Sequence, residues 1–303
     1  MMKLVKACYK LKYCLQKIFG VQTSDSFYEK LITRYYKIFR CEKAGIKIEN
    51  KRKRRFILSI TSIPSRIDKS WITIESLLRQ SYKPDKIILW LAEDEFRNVR
   101  LPERLKEQQK RGLEICYCDN LRSYKKFYYT AKKYPNDYIV TADDDIIYTE
   151  DMLEILVKTY RKNPGNVVCH RSHYIQKHGG RLRLYNEWIH YEERRHMKEI
   201  PSFQNFFTSG AGTLIPIFRL RKEILNRDAF MELVPYADDV WLNFCAWKSG
   251  IRTVNTKGIC GHLISIERSS DKGLSCINVI YGKNDEQIER VLKYLKVDVN
   301  QYL

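Results

Sequence analysis

Three consecutive carboxylates, Asp143, Asp144 and Asp145, are the residues of this sequence whose type and spacing most directly indicate chemistry. They follow residues 138–142, an apolar run that predicts a buried strand, and open α/β sheets bind ligands at the carboxyl ends of their strands. Adjacent like charges repel one another, so a cation should compensate them. The divalent cations Mn²⁺ and Mg²⁺ prefer oxygen ligands and are held by a few carboxylates together with substrate phosphates. The cluster therefore predicts a metal site, and the alternative is a solvated acidic turn.

A second pair of carboxylates, Asp238 and Asp239, opens another apolar segment. An Asp at the start of a helix commonly caps backbone N–H groups and interacts favourably with the helix dipole. This structural role is compatible with a functional one if one carboxylate caps the helix while the other reaches the active site. Just upstream, Gly210 and Gly212 would let the backbone of residues 208–213 approach a ligand closely.

The segments that must position these carboxylates alternate between strand and helix patterns. Strands are predicted at residues 55–63, 86–91, 113–117, 137–142 and 166–170, and helices at 70–80, after Pro102, at 123–134 and at 149–162. Strands separated by helical patterns of about 10–15 residues indicate βαβ units. The sequence therefore predicts an α/β fold with a mostly parallel central sheet flanked by helices.

The regular alternation ends at His170. Residues 171–205 are rich in aromatic and charged side chains and are interpreted as a partly irregular segment over the sheet edge that sets donor and acceptor specificity. Regular patterns return with a helix at 238–248, a strand near 252–255 and a C-terminal helix at 284–295.

The net charge of +19 indicates an anionic partner and is concentrated near the N-terminus. Residues 1–55 contain 16 Lys or Arg against 4 Asp or Glu. Lysines separate apolar residues at helical spacing, the pattern of a helix that lies at a membrane interface. The apolar stripe consists of Leu4, Cys8, Leu11, Leu15 and Ile18. We therefore predict binding to an anionic membrane surface, and the alternative is that the N-terminal helices pack on the catalytic domain or mediate oligomerisation.

No stretch reaches the roughly 20 apolar residues that span a bilayer, and lysines interrupt the N-terminus where an export signal would be apolar. The nine cysteines are scattered, mostly within apolar runs, as free thiols in a reducing compartment would be. These features predict a cytoplasmic protein that associates peripherally with the inner face of the cell membrane.

In this order, the segments resemble the glycosyltransferases of the GT-A fold over residues 55–265. The set is similar to bacterial transferases of surface-polysaccharide assembly and, more distantly, to the exostosin C-terminal domain. The resemblance rests on a nucleotide-binding first strand at residues 59–66, a DxD motif at Asp143-Asp144-Asp145, an acceptor loop at 209–212, an xED motif at Ala237-Asp238-Asp239 and a late His262.

The resemblance implies a role for each of these residues. Asp145 would ligate the metal, Asp143 would contact the metal or the donor ribose, and His262 would complete the metal shell. Asp239, or else Asp238, would be the general base that deprotonates the acceptor hydroxyl. The implied donor-binding residues are Thr61, Arg66, Lys125, Asp143, Asp144 and Gly210. Lys126 is interpreted instead as part of a solvated helix face.

The predicted activity is metal-dependent transfer of a sugar from a nucleotide-diphosphate donor, foremost a UDP-sugar, to a saccharide or lipid-linked acceptor. The xED position reads Asp-Asp rather than Glu-Asp, which leaves the stereochemistry open, with inversion favoured. One alternative is a nucleotidyltransferase, although residues 61–64 lack the glycine of a phosphate loop. A nucleic-acid-binding protein is the other, but no nucleic-acid-binding motif is present. The predicted regions are a basic helical region at 1–50, the GT-A domain at 51–265 and a tail with a helix at 266–303.

Overall fold

The computed structural model describes residues 4–18, 23–49, 52–189, 200–256, 258, 262–266 and 283–303. The helices within these residues are α1 (Leu4–Ile18), α2 (Asp25–Ile38), α3 (Ile67–Leu78), α4 (Glu93–Phe96), α5 (Glu103–Gln109), α6 (Lys125–Lys133), α7 (Met152–Lys162), α8 (Arg227–Leu233), α9 (Asp238–Lys248) and α10 (Lys283–Leu295). The strands are β1 (Phe56–Thr61), β2 (Lys86–Ala92), β3 (Leu113–Cys118), β4 (Tyr138–Thr141), β5 (Ile146–Ile147), β6 (Val167–Cys169), β7 (Ser172–Tyr174), β8 (Lys177–His178), β9 (Arg181–Leu182), β10 (Asn205–Phe207), β11 (Thr213–Pro216), β12 (Thr253–Asn255) and β13 (Ile264–Ser265).

A seven-stranded sheet forms the centre of the molecule, with the strand order β12-β6-β11-β4-β1-β2-β3. Neighbouring strands are parallel except at β11, which runs antiparallel to both β4 and β6. Strands β1, β2 and β4 are short apolar runs that are buried on both faces, as strands of a sheet covered by helices must be, whereas the edge strand β3 is only partly buried. The predicted α/β fold of the GT-A type, with a mostly parallel sheet flanked by helices, is confirmed.

Helices cover both faces of the sheet because successive strand residues point to opposite sides. Leu58 and Ile60 of β1 pack in the apolar layer formed with α3 and α7, whereas Ile57 faces the other side. Ile139 of β4 packs in a third apolar cluster together with residues of α6, α9 and α10. The sheet edge that carries the carboxylates is therefore supported by packed elements on both sides.

The two N-terminal helices pack against the catalytic region. Val5, Cys8 and Tyr9 of α1 are buried in one apolar cluster with residues of α2, α3, β5 and β13. Of the predicted stripe Cys8 is buried, whereas Leu11 is 49% exposed and Leu4 and Leu15 are half-buried. The side chain of Ile18 lies outside the described residues. Packing on the catalytic region, the alternative left open by the sequence, is what α1 does.

The segment after His170 contains more order than its composition indicates. Ser172–Tyr174 pairs antiparallel with Asn205–Phe207, and a short hairpin joins β8 to β9. Residues 190–199 of this segment lie outside the described part of the chain. Among the described residues no helix is long and apolar enough to cross a membrane, and the seven described cysteines are free thiols.

Candidate active site

One cavity of about 770 Å³ opens at the edge of the sheet where the parallel strands β1 and β4 end. Because β11 is antiparallel, the loop that precedes it, residues 208–212, reaches the same edge. The first turn of α9 completes the wall. Four chain segments that are far apart in the sequence therefore meet here, as expected for a ligand site in an open α/β sheet.

The three carboxylates that follow β4 point in different directions. The side chain of Asp144 is only 4% exposed; it accepts hydrogen bonds from Ser62 Oγ and from Arg66 Nη1, the latter at 3.2 Å. Burial, opposed by Arg66, raises the pKa of Asp144 to about 6. Asp145 lies 3.4 Å from the same Arg66 nitrogen, and Asp143 is the most exposed of the three at 38%. Arg66 thus compensates the two carboxylates next to it. The sequence predicts that a cation should do so.

The structure leaves no room for a side chain at Gly210. A Cβ atom on Gly210 would lie 1.8 Å from Oδ2 of Asp143, far inside van der Waals contact. The backbone of the two residues is joined by the hydrogen bond from Asp143 N to Gly210 O, and the buried hydroxyl of Tyr148 contacts both. The close approach predicted for this loop is therefore to Asp143 of the chain itself.

Lys126 is not on a solvated helix face, and that interpretation of the sequence is wrong. Its residue surface is only 3% exposed, and its ammonium lies 2.5 Å from Asp143 Oδ1 and 3.5 Å from Asp238 Oδ2. Burial alone would lower the pKa of Lys126, but Asp143, Asp238 and Asp239 outweigh burial and raise it. Lys126 is therefore a fixed positive charge between the two carboxylate groups.

Asp238 and Asp239 begin α9 and are both held by Ser209. The backbone N–H of Ser209 donates to Asp239 Oδ1 at 2.8 Å, and its hydroxyl donates to Asp238 Oδ2 at 3.0 Å. The residue at the N-cap is Ala237, which makes no side-chain cap bond, so neither carboxylate is the N-cap residue. Burial, and next to it the charge of Asp238, raises the pKa of Asp239. A carboxylate with a raised pKa that lines a cavity is suited to accept a proton.

The remaining predicted donor contacts also line the cavity. Thr61 lies at the end of β1, where its hydroxyl donates to Trp90 O at 2.8 Å. The side chain of Lys125 is 1% exposed and lies 3.4 Å from Glu95. Six carboxylates and five Lys or Arg side chains contribute to the lining. The cavity is therefore balanced in charge, and its cations can meet an anionic donor.

His262 lies apart from the cavity lining, although its neighbour Leu263 belongs to it. The imidazole packs edge-on against Tyr13 of α1, with 5.1 Å between the ring centroids. Its role as a metal ligand stays a prediction.

Two carboxylates, Asp143 and Asp145, are the candidates for a metal in this cavity. Within the residues that the structure describes, no three His, Cys, Asp or Glu side chains are grouped to hold a metal ion. Mg²⁺ and related cations nevertheless bind through one or two carboxylates when substrate phosphates supply other oxygens. Lys126 lies beside Asp143 and Arg66 beside Asp145, so a metal ion would share these carboxylates with cationic side chains. The residues present fit a metal that binds together with its donor.

Several lining residues were missed by sequence reasoning. Arg122 has a φ of +53°, an uncommon conformation for a residue with a side chain, and its guanidinium lies 4.2 Å from the ring centroid of Tyr236. No sequence signal marks that pair. Arg171, His173 and Tyr185 form another wall, and they belong to the aromatic segment to which the sequence assigned specificity.

Comparison with known proteins identifies a family for the central part of the chain. The family described as Glycosyl transferase family 2 matches residues 71–227, slightly more than half of the chain. The match includes the three carboxylates after β4 and Gly210, and it ends before Asp238. A search of curated proteins finds no match. Among solved structures, the chain is similar to the mannosyltransferase PcManGT from Pyrobaculum calidifontis in complex with GDP-Man and Mn²⁺. The identity is 11% and the TM-score 0.48, over 97% of this chain and 76% of that chain.

Proposed function

The chain belongs to glycosyl transferase family 2, and we propose that it transfers a sugar from a nucleotide-diphosphate donor to a hydroxyl of a saccharide or lipid-linked saccharide. The observation that carries this proposal is the meeting of Asp143, Asp145 and Asp239 around one cavity that also contains buried cations. The carboxylates fit a metal and a proton acceptor, and the cations fit a diphosphate.

The donor diphosphate is proposed to bind at the cavity wall where Arg66 lies beside Asp144 and Asp145 and where Asp143 is exposed. Arg66 is held in place by Asp144, so its guanidinium needs little reordering when an anion arrives. Lys125 and Arg122 add positive charge along the same wall. A bound Mn²⁺ or Mg²⁺ would neutralise the departing nucleoside diphosphate as a Lewis acid.

Asp239 is proposed as the general base, with Asp238 as the carboxylate next to it. The hydrogen bond from Ser209 N fixes one oxygen of Asp239, which leaves the other to receive the proton of the acceptor hydroxyl. The charge of Asp238 supports this role because it raises the proton affinity of Asp239. One base is sufficient for direct displacement, so inversion is favoured over retention.

The acceptor is proposed to enter along the wall formed by Arg171, His173 and Tyr185. Aromatic and cationic side chains of this kind can stack on sugar rings and bind acidic sugars. A lipid-linked acceptor in surface-polysaccharide assembly would bring the enzyme to the inner face of the cell membrane. The donor most consistent with the sequence resemblance is a UDP-sugar.

The test is a panel of nucleotide sugars incubated with the protein and Mn²⁺, with the released nucleotide identified by chromatography. We expect release of a nucleoside diphosphate from one donor, its loss in EDTA, and its loss in Asp145→Asn. The matched control is Asp228→Asn, an exposed carboxylate on α8 outside the cavity. Release of pyrophosphate from a nucleoside triphosphate instead would identify a nucleotidyltransferase and contradict the proposal.

A further inference from the structure

The helix α2 has two apolar faces, of which the fold uses one. Tyr28, Ile32 and Tyr36 are buried against α1, α3 and β13, with exposures of 3% or less. On its solvent side Phe27 is 61% exposed, Leu31 42% and Ile38 61%. Most large apolar side chains of the described chain are buried, so three on one exposed helix face indicate a contact beyond the fold.

Basic residues flank this exposed apolar strip. Lys30, Arg34 and Lys37 are all exposed on α2. At about 100° per residue, the three basic and the three apolar residues fall within an arc of roughly 120°. We call this arc the α2 outer face; it consists of Phe27, Lys30, Leu31, Arg34, Lys37 and Ile38.

The acidic residues of α2 are turned inward. Asp25 accepts from Lys12 of α1 at 2.6 Å, and the 6%-exposed Glu29 lies 3.2 Å from Lys69 of α3. Each is neutralised by a cation from a neighbouring helix. The α2 outer face therefore presents positive charge and apolar surface with no carboxylate of its own helix among them.

This helix pair is joined directly to the active site. Asp25 accepts a hydrogen bond from Ser265 N at 3.0 Å, and Lys12 donates to Leu263 O, whose residue lines the cavity. Ile266, which follows Ser265 in the chain, donates its N–H to Asp145 O at 2.7 Å. A surface that binds α2 would therefore lie beside the segment that carries the metal-site carboxylates.

We propose that the α2 outer face docks on an anionic lipid bilayer. Large apolar side chains next to lysine and arginine are what a helix lying in a headgroup region requires, since the apolar groups enter the acyl boundary and the cations meet lipid phosphates. A soluble protein partner would not demand a face free of carboxylates, whereas an anionic leaflet does. The proposal rests on this surface alone and stands or falls independently of the transferase activity.

The test is co-sedimentation of the full chain with vesicles of phosphatidylcholine that contain or lack phosphatidylglycerol, with no nucleotide sugar present. Wild type should sediment with the anionic vesicles at low salt. Removing three cations in Lys30→Ser, Arg34→Ser and Lys37→Ser together should weaken that binding about 100-fold. The matched control replaces three basic residues of α7 that are also exposed, Lys158, Arg161 and Lys162, by serine and should bind nearly as wild type.

A second variant separates insertion from simple charge attraction. Phe27→Ser, Leu31→Ser and Ile38→Ser together should lose the part of the binding that survives high salt, while Leu184→Ser, 58% exposed elsewhere, should retain it. All variants should keep the wild-type unfolding temperature, because the altered side chains are exposed. Wild type that stays in the supernatant overturns the proposal, and so do α2 variants that sediment like wild type. Binding to vesicles unchanged while the variants abolish a wild-type dimer would show that a second copy covers this face.

Discussion

Replacing Lys126 by methionine removes a buried ammonium while it keeps the length of the side chain. That ammonium lies 2.5 Å from Asp143 and 3.5 Å from Asp238, and only 4% of the lysine side chain is exposed. Breaking a buried ion pair by removing one partner costs about 3–5 kcal/mol, because the other charge stays buried without compensation. Asp143 is 38% exposed, so water screens part of its charge, and we expect a loss of about 2–3 kcal/mol.

In a thermal unfolding assay this loss should lower the midpoint by about 3–5 °C for a protein of this size. Lys125→Met is the matched control, since Lys125 is equally buried but has, within the described residues, a single and longer ion pair, to Glu95 at 3.4 Å. Its midpoint should fall by less. Mn²⁺ should restore more stability to Lys126→Met than to wild type, because a divalent cation can then occupy the uncompensated carboxylates. If Lys126→Met unfolds within a degree of Lys125→Met and gains nothing from Mn²⁺, Lys126 does not compensate the site.

Three further outcomes follow from the same geometry. Gly210→Ala should cut turnover about 100-fold without unfolding the protein, because the new Cβ displaces Asp143; a fully active variant would contradict that contact. Asp239 must be ionised to accept a proton and its pKa is raised, so kcat/KM should increase with pH to a midpoint well above the ordinary Asp value of about 4, and Asp239→Asn should lose about 10²–10⁴-fold in kcat. An acid limb near pH 4, or a larger loss in Asp238→Asn, would point to another base. Tyr9→Phe should lower the free energy of unfolding by about 1–3 kcal/mol in urea, because Ile147 O and Ile264 N lose the phenol between them, whereas Tyr117→Phe on the surface should not.

Most strands of the central sheet and the helices that flank it could be predicted, because their apolar periodicity is strong. The helix at Asp238–Lys248 was predicted with its observed bounds, and the strand at 86–91 differs by a single residue. The antiparallel direction of β11 could not be read, because a short apolar run does not reveal the direction of its neighbours. That direction is what brings Gly210 beside Asp143.

Lys126 shows why charge in a sequence is a poor guide to exposure. Helix α6 contains four lysines in nine residues, and lysines are usually solvated. Two of them, Lys125 and Lys126, are buried because they are the first residues of the helix, where it meets the carboxylates of other segments. The sequence shows that the carboxylates need a cation. It does not show which one, because Lys126 is 17 residues from Asp143 in the chain and meets it only in the folded structure.

In the N-terminal helices, too, the sequence pattern did not identify which residues are buried. Periodicity identified α1 as amphipathic, but the apolar stripe predicted from the 3–4 residue spacing contains Leu11 and omits Tyr9. The fold buries Tyr9 because its hydroxyl joins two backbone groups of the catalytic region while its ring packs in the core. The apolar residues of α2 extend from its buried side onto its exposed side, so the helix has a second apolar face that packing on a single core does not use. Retaining that second face costs solubility unless something covers it, so its presence beside three cations is an argument for a surface that the protein meets outside its own fold.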